Sequence, residues 1–239
     1  PRDSCMSATS LTPSSESDVR DLLISETEGL HIAGGQSRLR ATEEKVISTC
    51  ALTGIVEYEP GALTMVAKAG TPLSIINETL QKENQQLAFE PPEFKHILNL
   101  LGHSTIGGVF ATNASGSRRI QVGAARDHLL GVRFIDGLGR FVKNGGRVMK
   151  NVTGYDLVKL MAGSWGTLGI ITEVSFKVLP IAETQVTLQI ASREASILTR
   201  AMNTPYDVSG TFYDVSSGFA YIRIEAVSYT HLRAHETTN

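Results

Sequence analysis

Residues 150–173 read KNVTGYDLVKLMAGSWGTLGIITE, and the reading of the fold starts there. Gly163, Gly166 and Gly169 recur at every third position between an amphipathic run, Tyr155 to Met161, and a β-branched run, Ile170, Ile171 and Thr172. This pattern predicts a helix over 155–162 and a strand over 168–179, ended by Pro180. Glycines at the junction remove side chains where regular structure would otherwise place them. Some other group must therefore approach that backbone closely.

Working outward, GVRFIDGLGRFVKNGG (131–146) holds two strand-like runs joined by Asp136-Gly137, the strongest hairpin signal in the chain. Upstream, LHIAGGQSR (30–38) is a short apolar strand ending in Gly34-Gly35. VISTC (46–50), GIVEYEP (54–60) and LTMVAKAG (63–70) read as further strands, the last two joined by Pro60-Gly61. A first helix capped by Ser14 places Val19, Leu22 and Leu23 on one face. A second, with Thr71 as cap and Pro72 at its first position, carries Leu73, Ile76 and Leu80 on one face and runs to Gln85. Thr105 opens a short helix within LNLLGHSTIGGVFATNASG (98–116). Beyond Pro180, TQVTLQI (184–190), a helix near 193–202, PYDVSGTFYD (205–214) and FAYIRIEA (219–226) look like the start of another domain.

With 41% hydrophobic and 19% charged residues, the 239-residue chain is expected to be globular rather than disordered. A net charge of −2 gives no electrostatic case for binding nucleic acid. No apolar run is long enough to span a bilayer and no signal peptide is recognisable. The expectation is a cytoplasmic protein without direct membrane insertion, which partner subunits could bring to a membrane. Cys5 and Cys50 form no CxxC motif or His/Cys cluster and read as structural or idle thiols; no metal site is expected.

Neither a GxGxxG after a strand nor a GxxxxGK[ST] loop is present. Four other loops combine glycine with small hydroxyl residues: AGGQSR (33–38), STIGG (104–108), TNASG (112–116) and GTLGII (166–171). One such loop marks an ordinary turn. Four in one chain point to a polyphosphate ligand, which needs many N–H donors and little side-chain bulk. In that reading Ser37 supplies a hydroxyl, Arg38 a charge, and the Thr105 segment a helix N-terminus.

The order EYEP…AGTPL, EPPE, STIGG, TNASG, GGRVMKNVTGYDL and GTLGIITE resembles the FAD-binding domain shared by vanillyl-alcohol oxidases and p-cresol methylhydroxylase. Within that superfamily it is most similar to the FAD-binding E subunits of bacterial glycolate oxidases, over roughly residues 15–226. The resemblance implies an α+β fold. After a ragged N-terminus (1–14) comes a two-subdomain p-cresol methylhydroxylase-type FAD-binding domain (15–180), with a small parallel sheet (15–70) and a larger antiparallel one (71–180). The start of a truncated cap domain follows (181–226). FAD would lie extended between the two subdomains.

Carried over position by position, the resemblance implies that Gly34, Gly35, Gln36, Ser37 and Arg38 form the pyrophosphate loop. Pro91, Thr105, Gly107 and Gly108 would form a second cofactor segment, with Asn113 and Ser115 in a third. Gly166, Gly169 and Ile170 would meet the cofactor from the other side, the glycines letting backbone approach the flavin nucleotide. Some relatives attach the flavin covalently through a His or Cys at or near the pyrophosphate loop; Gln36 here implies noncovalent FAD. The His-x-His metal site of related 2-hydroxyacid dehydrogenases has no counterpart within 1–226.

The implied reaction oxidises glycolate to glyoxylate by hydride transfer to flavin, and electrons leave through a second flavin subunit and an iron–sulfur subunit. Two alternatives stand beside it: a noncatalytic flavin-binding or scaffold subunit, and a flavoenzyme for D-lactate or another 2-hydroxy acid. No catalytic residue is assigned. His103 reads either as a proton-abstracting base or as a loop hydrogen-bonder, and His31 as core; His96 and His128 have no partner nameable from sequence. Tyr155 and Asp156 could orient a ligand, or pack and cap a helix. Trp165 is read as core in preference to stacking on flavin, and Arg147 and Lys150 as solvated charges in preference to flavin neutralisers. The last thirteen residues, VSYTHLRAHETTN (227–239), look like a translated sequencing adapter, so the His231/His235 spacing is not read as a metal site and the chain is expected to be a C-terminally truncated fragment.

Overall fold

The computed structural model describes residues 10–26, 29–38, 45–146, 154–192 and 194–226. Cys5, Arg147, Lys150, His231 and His235 lie outside the described residues.

The N-terminal part forms β1 (Ser10–Leu11), α1 (Glu16–Ser25), β2 (His31–Ala33) and β3 (Val46–Ser48). The three strands make a small parallel sheet in the order β1-β3-β2. The cap of α1 is Ser15, one residue after the expected Ser14. Its hydroxyl accepts from the Asp18 amide at 3.1 Å, while the Asp18 carboxylate accepts from the Ser15 amide at 3.0 Å. Val19 anchors the buried face of this helix beside Ile47 and Ile170.

Next come β4 (Ile55–Glu59), β5 (Thr64–Lys68), α2 (Leu73–Gln81), β6 (Gln85–Gln86) and α3 (Lys95–Leu98). The α2 stripe of Leu73, Ile76 and Leu80 is buried as its spacing predicts. Pro72, not Thr71, occupies the cap. The Thr71 hydroxyl instead donates to the Lys68 carbonyl at 2.6 Å and accepts from the Gly54 amide at 3.0 Å. The helix also stops earlier than Gln85. Asn84 adopts a left-handed conformation (φ 52), and Gln85 is held by Tyr58 Oη at 2.9 Å and by the Pro60 carbonyl.

The chain continues through α4 (Ile106–Ala111), α5 (Arg119–Val122), α6 (Ala125–His128), β7 (Leu129–Ile135), β8 (Phe141–Gly145), α7 (Leu157–Met161), β9 (Ile170–Lys177) and β10 (Leu179–Pro180). Strands β4-β5-β9-β7-β8 form one antiparallel five-stranded sheet. The chain thus enters this sheet at Ile55, ahead of residue 70. The expected β7–β8 hairpin turns through residues 136–140, where the Asp136 carboxylate accepts from the Leu138 and Arg140 amides at 3.0 and 2.9 Å. The main core lies where α2 and α4 pack on this sheet, with Phe110 in ring contact with both Phe89 and Phe176.

A separate antiparallel sheet, β11-β13-β12, closes the described chain: β11 (Thr184–Ala191), α8 (Ser196–Met202), β12 (Val208–Asp214) and β13 (Phe219–Ala226). It is tied to the preceding part by charge. Arg118 Nη2 lies 2.7 Å from Glu225 Oε2 with both side chains buried, and Arg223 reaches Glu90 at 2.8 Å. The Arg118–Glu225 contact is an ion pair without hydrogen-bond geometry. Arg118 Nε and Nη1 have no hydrogen-bond partner among the described residues. No described helix is long and apolar enough to cross a membrane.

Candidate functional site

A cleft of about 820 Å³, counting the solvent at its mouth, opens where the small parallel sheet meets the five-stranded one. Its floor is the loop that follows β2. Gly34, Gly35, Gln36, Ser37 and Arg38 all line it. Two backbones meet beneath this loop. The His103 amide donates to the Gly35 carbonyl at 2.8 Å, and a Cβ on Gly35 would lie 1.9 Å from the His103 carbonyl oxygen. Ser37 and Ser104 hydroxyls, both buried, lie 3.0 Å apart and lock the same junction. Gln36 sits in the left-handed region (φ 53), a backbone state from which amide nests that bind anions are built.

The floor also carries unused donors. Gln36 Nε2 and Arg38 Nε are buried and have no hydrogen-bond partner among the described residues. A buried donor without an acceptor costs about 1–3 kcal/mol, so a ligand rich in acceptor oxygens would relieve both. Arg38 is fixed in place: its guanidinium lies over the Phe94 ring at 5.6 Å, and Nη2 donates to the Pro92 carbonyl at 3.4 Å. Burial pushes its pKa down and the Glu93 charge offsets only part of that. Guanidinium is basic enough to stay charged regardless.

The second wall is the Thr105 segment. Thr105 caps α4 as expected, its hydroxyl accepting from the Gly108 amide at 3.3 Å. The expectation of free helix amides facing the ligand is not met. The Ile106 amide donates to the Thr71 carbonyl and the Gly107 amide to the Ala69 carbonyl, at 3.0 and 2.8 Å. Gly107 and Gly108 line the cleft, but a Cβ on Gly107 would lie 2.5 Å from the Ala69 Cβ and one on Gly108 3.1 Å from the Thr105 hydroxyl, so the protein's own packing accounts for both glycines. A Cβ on Gly108 would come within 3.9 Å of Arg38 Nη1.

The third wall answers the question raised by the recurring glycines, in part differently from expectation. Gly166 and Gly169 line the cleft, but the atoms nearest them belong to the protein itself. A Cβ on Gly169 (φ 152) would meet the Ile135 carbonyl oxygen at 2.6 Å, and one on Gly166 (φ 80) the Ile32 side chain at 3.1 Å. Trp165 also lines this wall, and it is half exposed rather than core.

Four other named positions are placed elsewhere. Ile170 is fully buried in the core around α1, and Ile171 lines the cleft in its place. Asn113 Oδ1 accepts from the Arg126 amide and Ser115 Oγ from the Ala125 amide, each at 2.8 Å, so both side chains organise the start of α6. Pro91 lies beside Pro92, the carbonyl that Arg38 reaches, and does not line the cleft. Among the remaining candidates, His31 is a half-buried lining residue rather than core, and Tyr155 is 90% exposed. Asp156 caps α7 through the Lys159 amide at 3.0 Å. His128 is buried with Nε2 3.1 Å from the Val122 carbonyl. Burial and the charge of Lys177 hold its pKa down, offset only in part by backbone hydrogen bonds and Asp127. Cys50 is disulfide-bonded, contrary to the expectation of a free thiol. Sequence reasoning missed Ile32, Thr49 and Ala69 as lining residues; all three lie in apolar or capping contexts without a ligand-binding signature.

Comparison with known proteins bears on what such a cleft holds. A family model described as an FAD binding domain matches residues 11–145. Glycolate oxidase subunit GlcE of Escherichia coli (strain K12) is 38% identical over 196 residues, covering 80% of this chain and 54% of that protein. D-lactate dehydrogenase of Anaerostipes hadrus is 33% identical over 145 residues, covering 61% of this chain and 29% of that protein. The chain thus spans about half the length of GlcE and less of the dehydrogenase. A solved structure of alkyldihydroxyacetonephosphate synthase superposes with a TM-score of 0.71 at 19% identity, covering 94% of this chain and 49% of that one, which establishes a shared fold. With more than half its residues matched by that model, the chain belongs to the FAD-binding domain family.

Proposed function

We propose that this chain holds FAD noncovalently in the cleft between its two first sheets and serves as the FAD-binding subunit of a glycolate oxidase or dehydrogenase complex. The observation that carries the cofactor reading is the pair of buried donors without acceptors, Gln36 Nε2 and Arg38 Nε, in the loop that floors the cleft. Such donors suit a dianionic pyrophosphate, and among the described residues no Asp or Glu lines the cleft. Arg38 neutralises charge there, held in place by Phe94 and Pro92, while Ser37 fixes the loop to Ser104. Bound flavin would supply the acceptor for the hydride from the glycolate α-carbon, and partner subunits, one flavin-bearing and one iron–sulfur, would take the electrons onward. The similarity to GlcE supports this assignment over D-lactate and other 2-hydroxy acids.

A second reading is a flavin-binding scaffold subunit whose partner performs the oxidation. It is favoured by the make-up of the cleft, where among the described residues His31 is the one lining side chain of a kind that takes a proton near neutral pH. Anaerobic addition of glycolate to the FAD-loaded chain separates the two. Loss of the oxidised-flavin absorbance supports catalysis in this subunit. An unchanged spectrum that bleaches only after partner subunits are added supports the scaffold reading.

A further inference from the structure

We infer that Trp165 is a stacking platform for one of the two planar rings of the dinucleotide in the cleft, an inference that rests on the FAD reading above. Three observations meet at this residue. It lines the cleft, it is 51% exposed although it is the largest apolar side chain available, and its backbone is held at φ 56. A bulky residue in the left-handed region is strained, and such positions persist where the surroundings fix them. Here the surroundings do so. The Trp165 amide donates to the Ala111 carbonyl at 2.9 Å, and Gly163 and Gly166 flank it with φ of 86 and 80.

The segment therefore turns a large aromatic side chain outward beside the ligand space, where glycine would meet the backbone demand without strain. The neighbours also fit a ring. Ile32, Ala111 and Ile171 line the cleft with apolar surface, while the anion-binding donors of Gln36 and Arg38 lie on its floor. A polyphosphate seated on the floor places a ring at either end of its reach, and an indole face offers stacking to whichever ring lies at this wall. Base–aromatic stacking accounts for roughly fivefold to hundredfold in affinity.

The test measures dissociation constants by ultrafiltration for FAD, ADP and FMN, using the full chain and its Trp165→Leu and Trp165→Phe forms. Circular dichroism checks that each form is folded; exposure at position 165 makes loss of folding unexpected. Trp165→Leu is expected to weaken FAD by about tenfold, with Trp165→Phe restoring most of the loss. A parallel loss confined to ADP identifies the adenine ring as the stacked partner, and one confined to FMN identifies the flavin ring. Because the chain contains one Trp, quenching of its emission by ADP, which does not absorb that emission, adds a direct contact signal. Equal FAD affinity in all three forms overturns the stacking role while leaving the FAD reading intact. Failure of the unaltered chain to retain FAD overturns both.

Discussion

Gly35 and His103 share a backbone contact that admits no side chain: the His103 amide donates to Gly35 at 2.8 Å, and a Cβ on Gly35 would sit 1.9 Å from the His103 carbonyl. The contact joins the loop after β2 to the segment leading into α4, so the floor and one wall of the cleft are set by a single junction. Ser37 and Ser104 repeat the join two residues on and one residue on, respectively. Gly35→Ala is therefore expected to destabilise the fold by about 3 kcal/mol or more and to lower FAD retention with it. Gly61→Ala, where nothing lies within 4 Å of the added carbon, is the matched control and is expected to stay within about 0.5 kcal/mol. Urea unfolding of both variants checks this.

Arg38 is expected to act on the ligand rather than on the fold. Arg38→Ala removes the charged donor from the cleft and is expected to weaken FAD by roughly tenfold to hundredfold, the worth of a charge-assisted hydrogen bond. Arg38→Lys keeps the charge but loses the planar contact with Phe94 and the second donor, and is expected to fall between. Ultrafiltration of FAD at fixed protein concentration reads the series.

The buried Arg118–Glu225 pair, 2.7 Å apart, joins the sheet β11-β13-β12 to the flavin-binding part. Glu225→Ala leaves the Arg118 charge buried and is expected to cost about 3–5 kcal/mol. Replacing both, as Arg118→Met with Glu225→Leu, is expected to cost clearly less than the sum of the single changes. Additive losses in chemical denaturation would contradict the coupling.

Glu16 on α1 accepts from Arg133 on β7 and from Thr172 on β9, tying the small sheet's helix to the large sheet. Burial pushes its carboxyl up, but the Arg133 and Thr172 hydrogen bonds and the Arg133 and Lys68 charges outweigh that, so its pKa lies below the ordinary 4.5. A carboxyl depressed in the folded state stabilises above its unfolded value, and that share is lost as pH falls from about 4.5 through the folded value. Glu16→Gln is expected to be less stable than the unaltered chain at neutral pH, with the gap closing below about pH 4.5. Melting temperatures across pH 3–7 (roughly the carboxylate range) check the sign.

What was legible in the sequence was local. Thr105 as a cap, the α2 stripe of Leu73, Ile76 and Leu80, and the turn at Asp136 follow from short-range pattern, and the structure has all three. The loop 33–38 stood out because it is one of four loops in the chain that combine glycine with small hydroxyl residues, and Gly34 to Arg38 all line the cleft. The rest depends on pairings distant along the chain. The amides of Ile106 and Gly107 are taken by Thr71 and Ala69, some 35 residues upstream, which no local motif announces. Gly166 and Gly169 were read as room for a ligand, yet Ile32 and Ile135 crowd them first. Trp165 had no periodicity to place it, so the default for a lone Trp, burial, pointed the wrong way. Ser115 and Asn113 sit in a glycine loop like the others, but the start of α6 claims their side chains.

The most direct test of the account is an absorbance spectrum of the purified chain, taken before and after acid precipitation, with FAD added and excess removed. The account predicts an oxidised-flavin spectrum that passes entirely into the acid supernatant. A folded chain that stays colourless after exposure to FAD, or colour that remains with the precipitate, would contradict it.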